Sequence, residues 1–111
     1  QVMLELSQRG EFSLERVVEK MCHAPAQLYR IDRRGYLRPG YYADLVVVDP
    51  RKPYTVTRDN ILSKCGWSPF EGHTFPASIE RTFVNGNEVF AEGRLLNRTP
   101  GKRLTFHPAT A

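Results

Sequence analysis

The chain is short of the residues from which catalytic and metal centres are built. Its 111 residues include three histidines and two cysteines. His23, His73 and His107 lie far apart, and no His-x-His or His-Glu-x-x-His pair occurs. A hydrolytic zinc site needs clustered His, Cys, Asp or Glu ligands and one open position for water. The sequence therefore argues against a metal site, or any bound cofactor, within this chain. Cys22 and Cys65 form neither a Cys-x-x-Cys pair nor the dense spacing of a disulfide scaffold. Both read as reduced thiols of a cytoplasmic protein. No Gly-x-Ser-x-Gly elbow marks a nucleophilic serine, and no glycine loop has phosphate-cradling spacing. The longest apolar run is Leu45 to Val48. It is far below the roughly 20 residues of a membrane helix and suits a buried strand. Internal repeats and low-complexity segments are absent too. On these grounds alone the chain reads as scaffold, with no catalytic, metal-binding or substrate-binding residue to nominate.

What is present is ordinary globular material, 41% hydrophobic and 25% charged, enough for one small domain. The formal net charge is +4, with acids interspersed among the bases along most of the chain. One stretch is locally basic, carrying Arg94, Arg98, Lys102 and Arg103 without an acid. It reads as a solvated tail rather than a phosphate-binding patch, which argues against a nucleic-acid partner. The chain opens at Gln1, already inside a helix-like pattern, and we expect a truncated or processed start.

Helical signals come first. Val2, Met3 and Leu6 share a helical face, and Gly10 is a stop. Ser13 is placed to cap a helix over residues 14–22, with Phe12 and Val17 as a hydrophobic staple and Glu15 at the positive end. Pro25 is placed to open a further short helix to about residue 29. Beyond Gly35 the pattern changes. Pro39-Gly40 is a turn signal. Residues 43–49 read as a strand stopped by Pro50. Thr57 caps a single turn reaching residue 62. Residues 63–78 hold Gly66, Pro69, Gly72 and Pro76 without periodicity and read as a loop. Residues 79–84 and 88–91 flank Asn85-Gly86, the strongest short-range hairpin signal, because a type I′ turn needs positive φ at both central residues. Residues 104–106 offer a short last strand. Three or four short strands leave an edge unpaired and a face uncovered, so something else should complete the sheet.

Two segments stand out chemically. Residues 64–72, Lys-Cys-Gly-Trp-Ser-Pro-Phe-Glu-Gly, hold the single tryptophan. Lys64, Trp67 and Phe70 suit a pocket rim or subunit contact; equally, Trp67 and Phe70 can pin an ordinary loop to the local core. Cys65 has no histidine base near it in sequence and is not read as a nucleophile. His23, before Ala24-Pro25, reads as a helix-junction residue.

Residues 35–49, Gly-Tyr-Leu-Arg-Pro-Gly-Tyr-Tyr-Ala-Asp-Leu-Val-Val-Val-Asp, resemble the signature near the C-terminus of amidohydrolase-superfamily enzymes. Thr82 to Gly86 matches the next hairpin, and His23-Ala-Pro-Ala26 the helix before it. With the 64–72 loop, these segments resemble the bacterial dihydroorotase branch most closely. The resemblance spans almost the whole chain. It implies an α+β fragment: residues 1–34 as terminal helices of a (β/α)8 barrel, and residues 35–111 as the C-terminal part of a small antiparallel β-sandwich with a loop at 63–78. It also implies zinc in the parent enzyme, held by barrel residues outside this chain, and interconversion of dihydroorotate and N-carbamoyl-aspartate. The family's Asp-His-Ala-Pro-His motif carries its catalytic acid/base. Here Cys22 replaces the Asp and Ala26 the second His, so that role is not transferred to His23. The implied partners are the remaining barrel segment of the same polypeptide and further copies of the enzyme, with no membrane. Pro39, Gly40, Ala43, Asp44, Asn85 and Gly86 become structural residues, with Asp44 bonding backbone amides nearby. The alternatives are a hydantoinase- or allantoinase-type fragment, a non-catalytic structural domain, or a basic binding module.

Overall fold

The computed structural model describes residues 1–96 and 101–108. Helices precede strands, an α+β architecture. Helix α1 spans Val2–Gln8 and α2 spans Leu14–Val18; a π-helical turn, Glu19–His23, joins α2 to α3, Ala24–Leu28. Strands β1 (Leu45–Asp49), β4 (Ser78–Val84), β5 (Asn87–Ala91) and β6 (Arg94–Leu95) form one antiparallel sheet in the order β1-β4-β5-β6. Strands β2 (Tyr54–Thr55) and β3 (Thr74–Phe75) pair separately. Among the described residues the strands close no barrel. No described helix is long and apolar enough to cross a membrane.

Helix α1 ends at Gly10. The Glu11 N–H reaches the Leu6 carbonyl and the Gly10 N–H the Ser7 carbonyl, both at 3.0 Å, so the last carbonyls are satisfied by a left-handed glycine cap. The polar stripe Gln1, Glu5, Gln8 turns toward the strands. Gln1 Nε2 donates to the Ala77 carbonyl (3.4 Å), Glu5 Oε2 meets His73 Nε2 (2.9 Å), and Gln8 Nε2 donates to the Pro50 carbonyl (2.7 Å).

Ser13 caps α2, its hydroxyl accepting from the Arg16 N–H at 3.2 Å. The separate helices expected over 14–22 and from Pro25 are instead one continuous stretch. Pro25 sits inside it, just past the π turn. Proline has no N–H, and its ring crowds the carbonyl four residues earlier, here that of Met21. A turn with i to i+5 bonding, closed by the Ala24 N–H on the Glu19 carbonyl, widens the helix where that crowding would fall.

Strand β1 starts two residues later than expected. Asp44 turns its N–H to the Tyr42 carbonyl (3.0 Å) and its carboxylate across the sheet, so it is not free to join the ladder. The 63–78 loop is interrupted by β3 and yields Ser78 to β4. The Thr57-capped turn closes at Asn60 through reciprocal side-chain bonds. The last expected strand reduces to one bridge, Ile31 with Phe106. Asn85 and Gly86 (φ 51° and 80°) form the type I′ turn between β4 and β5.

The interior is small. Val17 and Ala26 are buried on the helices, and Phe75 of β3 is buried together with Val56 and Ala77, which follow β2 and β3. The apolar run in β1 is not buried: Val46 is 56% and Val47 46% exposed. These neighbours face opposite sides of the sheet, so β1 is uncovered on both faces and lies at the sheet edge.

Candidate functional site

The signature residues converge on one clasp. Arg34 follows the helices; its side chain is only 11% exposed, and its guanidinium pairs with Asp44 and donates to Asn85 Oδ1 at 2.7 Å. The other Asp44 oxygen accepts from the Asn85 N–H at 2.8 Å, and the Gly86 N–H donates to the Ala43 carbonyl at 3.0 Å. Arg34 also stacks on the Tyr42 ring, 4.1 Å from its centroid. Ala43, Asp44, Asn85 and Gly86 thus lock the hairpin turn to the end of the helical part. Asp44 does bond a backbone amide, but that amide, of Asn85, lies 41 residues along the chain, and the other carboxylate oxygen takes Arg34, 10 residues back. Pro39 and Gly40 form the turn before the clasp, with Gly40 at φ 81° and the Tyr41 N–H on the Arg38 carbonyl. The chemistry of this cluster is structural. The bonds named above run from one protein group to another.

Trp67 and Phe70 line an open groove of about 420 Å³, with Val2, Leu62, Pro69 and Phe75 among its other walls. Trp67 is 62% exposed, so it does not pin the loop into the core. Phe70 does both: it packs on Phe75 at 5.5 Å and still shows a face to the groove. Lys64 is exposed and does not line it. The Cys65 sulfur lies 3.1 Å from the Ser63 hydroxyl, which holds the thiol below the ordinary cysteine range. No described histidine hydrogen-bonds to it. A lowered thiol without a base beside it does not make a catalytic pair.

The histidines are dispersed and occupied. His23 stacks flat on Tyr36 at 4.2 Å. His73 meets Glu5, and His107 Nε2 lies 3.3 Å from Asp32. Among the described residues no three of His, Cys, Asp and Glu converge as a metal site would require. The residues present do not fit a zinc ion. Sequence reasoning missed Arg34, Tyr42, Glu5 and His73 as organising residues, because each acts across a separation that no local pattern encodes.

Comparison with known proteins places this architecture. The model of the amidohydrolase family matches residues 1–89. A dihydroorotase of Halobacterium salinarum is 40% identical over 105 residues, covering 93% of this chain and 24% of the relative. An allantoinase of Bacillus velezensis is 35% identical over 91 residues, covering 82% of this chain and 20% of the relative. The solved structure of an L-hydantoinase (dihydropyrimidinase) from Arthrobacter aurescens superimposes with a TM-score of 0.78 at 34% identity, covering 85% of this chain and 21% of that one. The chain therefore spans about a quarter or less of the length of these relatives. It belongs to the amidohydrolase family.

Proposed function

We propose that this chain is the non-catalytic C-terminal segment of a cyclic-amide hydrolase, working as scaffold for a catalytic barrel contributed by the rest of the polypeptide. In this reading residues 1–34 are the barrel's last helices, and residues 35–111 are the C-terminal share of a small β-sandwich. The observation that carries the reading is surface. The chain exposes 8543 Å², against about 6,200 Å² for a folded monomer of 12.7 kDa. The surplus, roughly 2,300 Å², is the scale of an extensive permanent interface. Both faces of β1 and the outward sides of Met21 and Leu28 contribute to it.

The reaction we assign to the whole enzyme is hydrolysis of a ring amide. Dihydroorotate is one candidate substrate, favoured by the 64–72 loop. Hydantoins and allantoin are the other, favoured by the allantoinase and L-hydantoinase matches at 35% and 34% identity. Dihydroorotase, allantoinase and hydantoinase relatives match over the same segment, which supports the shared chemistry more than any one substrate. Zinc would be held by barrel residues, and none of the described side chains takes part in a chemical step. A cytoplasmic, multimeric enzyme fits this reading, with the Trp67 groove at a contact between copies.

The test is activity with and without the barrel. The purified chain plus zinc should hydrolyse none of dihydroorotate, 5-substituted hydantoins and allantoin. The longer product of the same reading frame should hydrolyse one of them. Turnover by the chain alone, or a frame with no His-x-His barrel before Gln1, would overturn the proposal.

A further inference from the structure

A second cleft, of about 430 Å³, opens where the helical part meets the chain's end. Its walls include Arg30, Arg34, Arg38, Tyr36, Tyr41 and His107, and no acidic residue among those described. The backbone brings these groups together. The His107 N–H donates to the Arg30 carbonyl and the Asp32 N–H to the Thr105 carbonyl, both at 2.9 Å, so residues 105–107 run along residues 30–32. Arg38 is held over the Tyr36 ring at 4.1 Å and beside Tyr41 at 5.9 Å.

The neighbouring carboxylates are already committed. Asp32 holds Arg33 at 3.0 Å, Thr105 Oγ1 at 3.2 Å and His107 at 3.3 Å, while Asp44 holds Arg34. Among the described residues neither Arg30 nor Arg38 makes an ion pair, and the Arg30 side chain makes no hydrogen bond. Two guanidinium groups without an ion-pair partner among the described residues line one cleft, and a guanidinium can present parallel N–H donors to a tetrahedral or planar oxyanion. We propose that this cleft binds a small phosphate-bearing anion, gripped by Arg30 and Arg38. The size is that of a small-molecule pocket. A polynucleotide is disfavoured because Tyr36, a ring of the cleft on which a base would stack, already carries His23 at 4.2 Å and Arg38 at 4.1 Å. The proposal does not depend on the hydrolase reading.

The experiment is calorimetric titration of the 111-residue chain with inorganic pyrophosphate at low salt, with acetate as the weak-anion control. Pyrophosphate should bind and acetate should not. Arg30→Gln and Arg38→Gln should each weaken binding about tenfold or more. Arg58→Gln, which removes a charge from outside the cleft, should leave it unchanged. Arg30→Gln removes no described side-chain bond, so far-ultraviolet circular dichroism and the urea unfolding midpoint should be unaltered. No pyrophosphate binding, binding unaffected by Arg30→Gln, or equal weakening by Arg58→Gln would each overturn the proposal.

Discussion

At the residue scale, a few polar contacts tie distant positions together around a small core. Glu5 is one example. It is 15% exposed and lies between His73, at 2.9 Å, and Arg9, at 2.6 Å. The His73 hydrogen bond holds its carboxyl below the ordinary glutamate range, with the Arg9 charge adding to the effect. A carboxyl with a depressed folded-state pKa binds protons less readily when folded than when unfolded. Its stabilisation is present above the unfolded value and is lost as pH falls through the folded one. Protection of the α1 amides against hydrogen exchange should therefore fall as the solution is acidified below the ordinary glutamate range. Glu5→Gln should flatten that dependence. Exchange protection that follows the same acid profile in both proteins would remove this role.

At the scale of elements, Gly35 is the glycine packed most closely against a helix. Its φ is 81°, and a Cβ there would lie 2.5 Å from the Ala26 Cβ and 2.7 Å from the Cys22 carbonyl oxygen. The π turn and α3 supply both neighbours, and backbone cannot move aside cheaply. Gly10 has a similar φ, 80°, but nothing within 4 Å of its added Cβ. Gly35→Ala should cost about 3 kcal/mol or more, from overpacking added to backbone strain. Gly10→Ala should cost only about 1 kcal/mol, from strain alone. Urea unfolding midpoints of the two variants test the difference. Equal shifts would mean that the contact with the helix carries no energy.

For the whole molecule, the radius of gyration is 15.9 Å, against about 13 Å for a compact domain of 100 residues. An uncovered edge strand with apolar groups on both faces is a template for another strand. The chain should self-associate with rising concentration in sedimentation velocity. Val46→Lys with Val47→Lys should weaken that association about tenfold or more, given the energy of burying each valine. A wild-type chain that stays monomeric throughout would show that the exposed strand is not adhesive by itself.

The sequence by itself determined what short-range chemistry controls. Ser13 marks a cap, Asn85-Gly86 a type I′ turn and Pro39-Gly40 another turn, because each depends on a few adjacent φ angles and one nearby hydrogen bond. Helices before strands, and the kinship carried by Ala43-Asp44-Leu45-Val46-Val47, were legible for the same reason. The scarcity of histidine and cysteine was equally plain, since composition states it. Tertiary structure decided the rest. Whether Leu45 to Val48 is buried depends on what packs over it, and no hydrophobic run encodes its neighbours. Asp44 looked like a residue for local backbone bonding, and only the fold brings Arg34 and the Asn85 amide to its two oxygens. Trp67 stood out in the sequence by its rarity, yet its placement on an open groove rather than in the core is a property of how the chain closes around it.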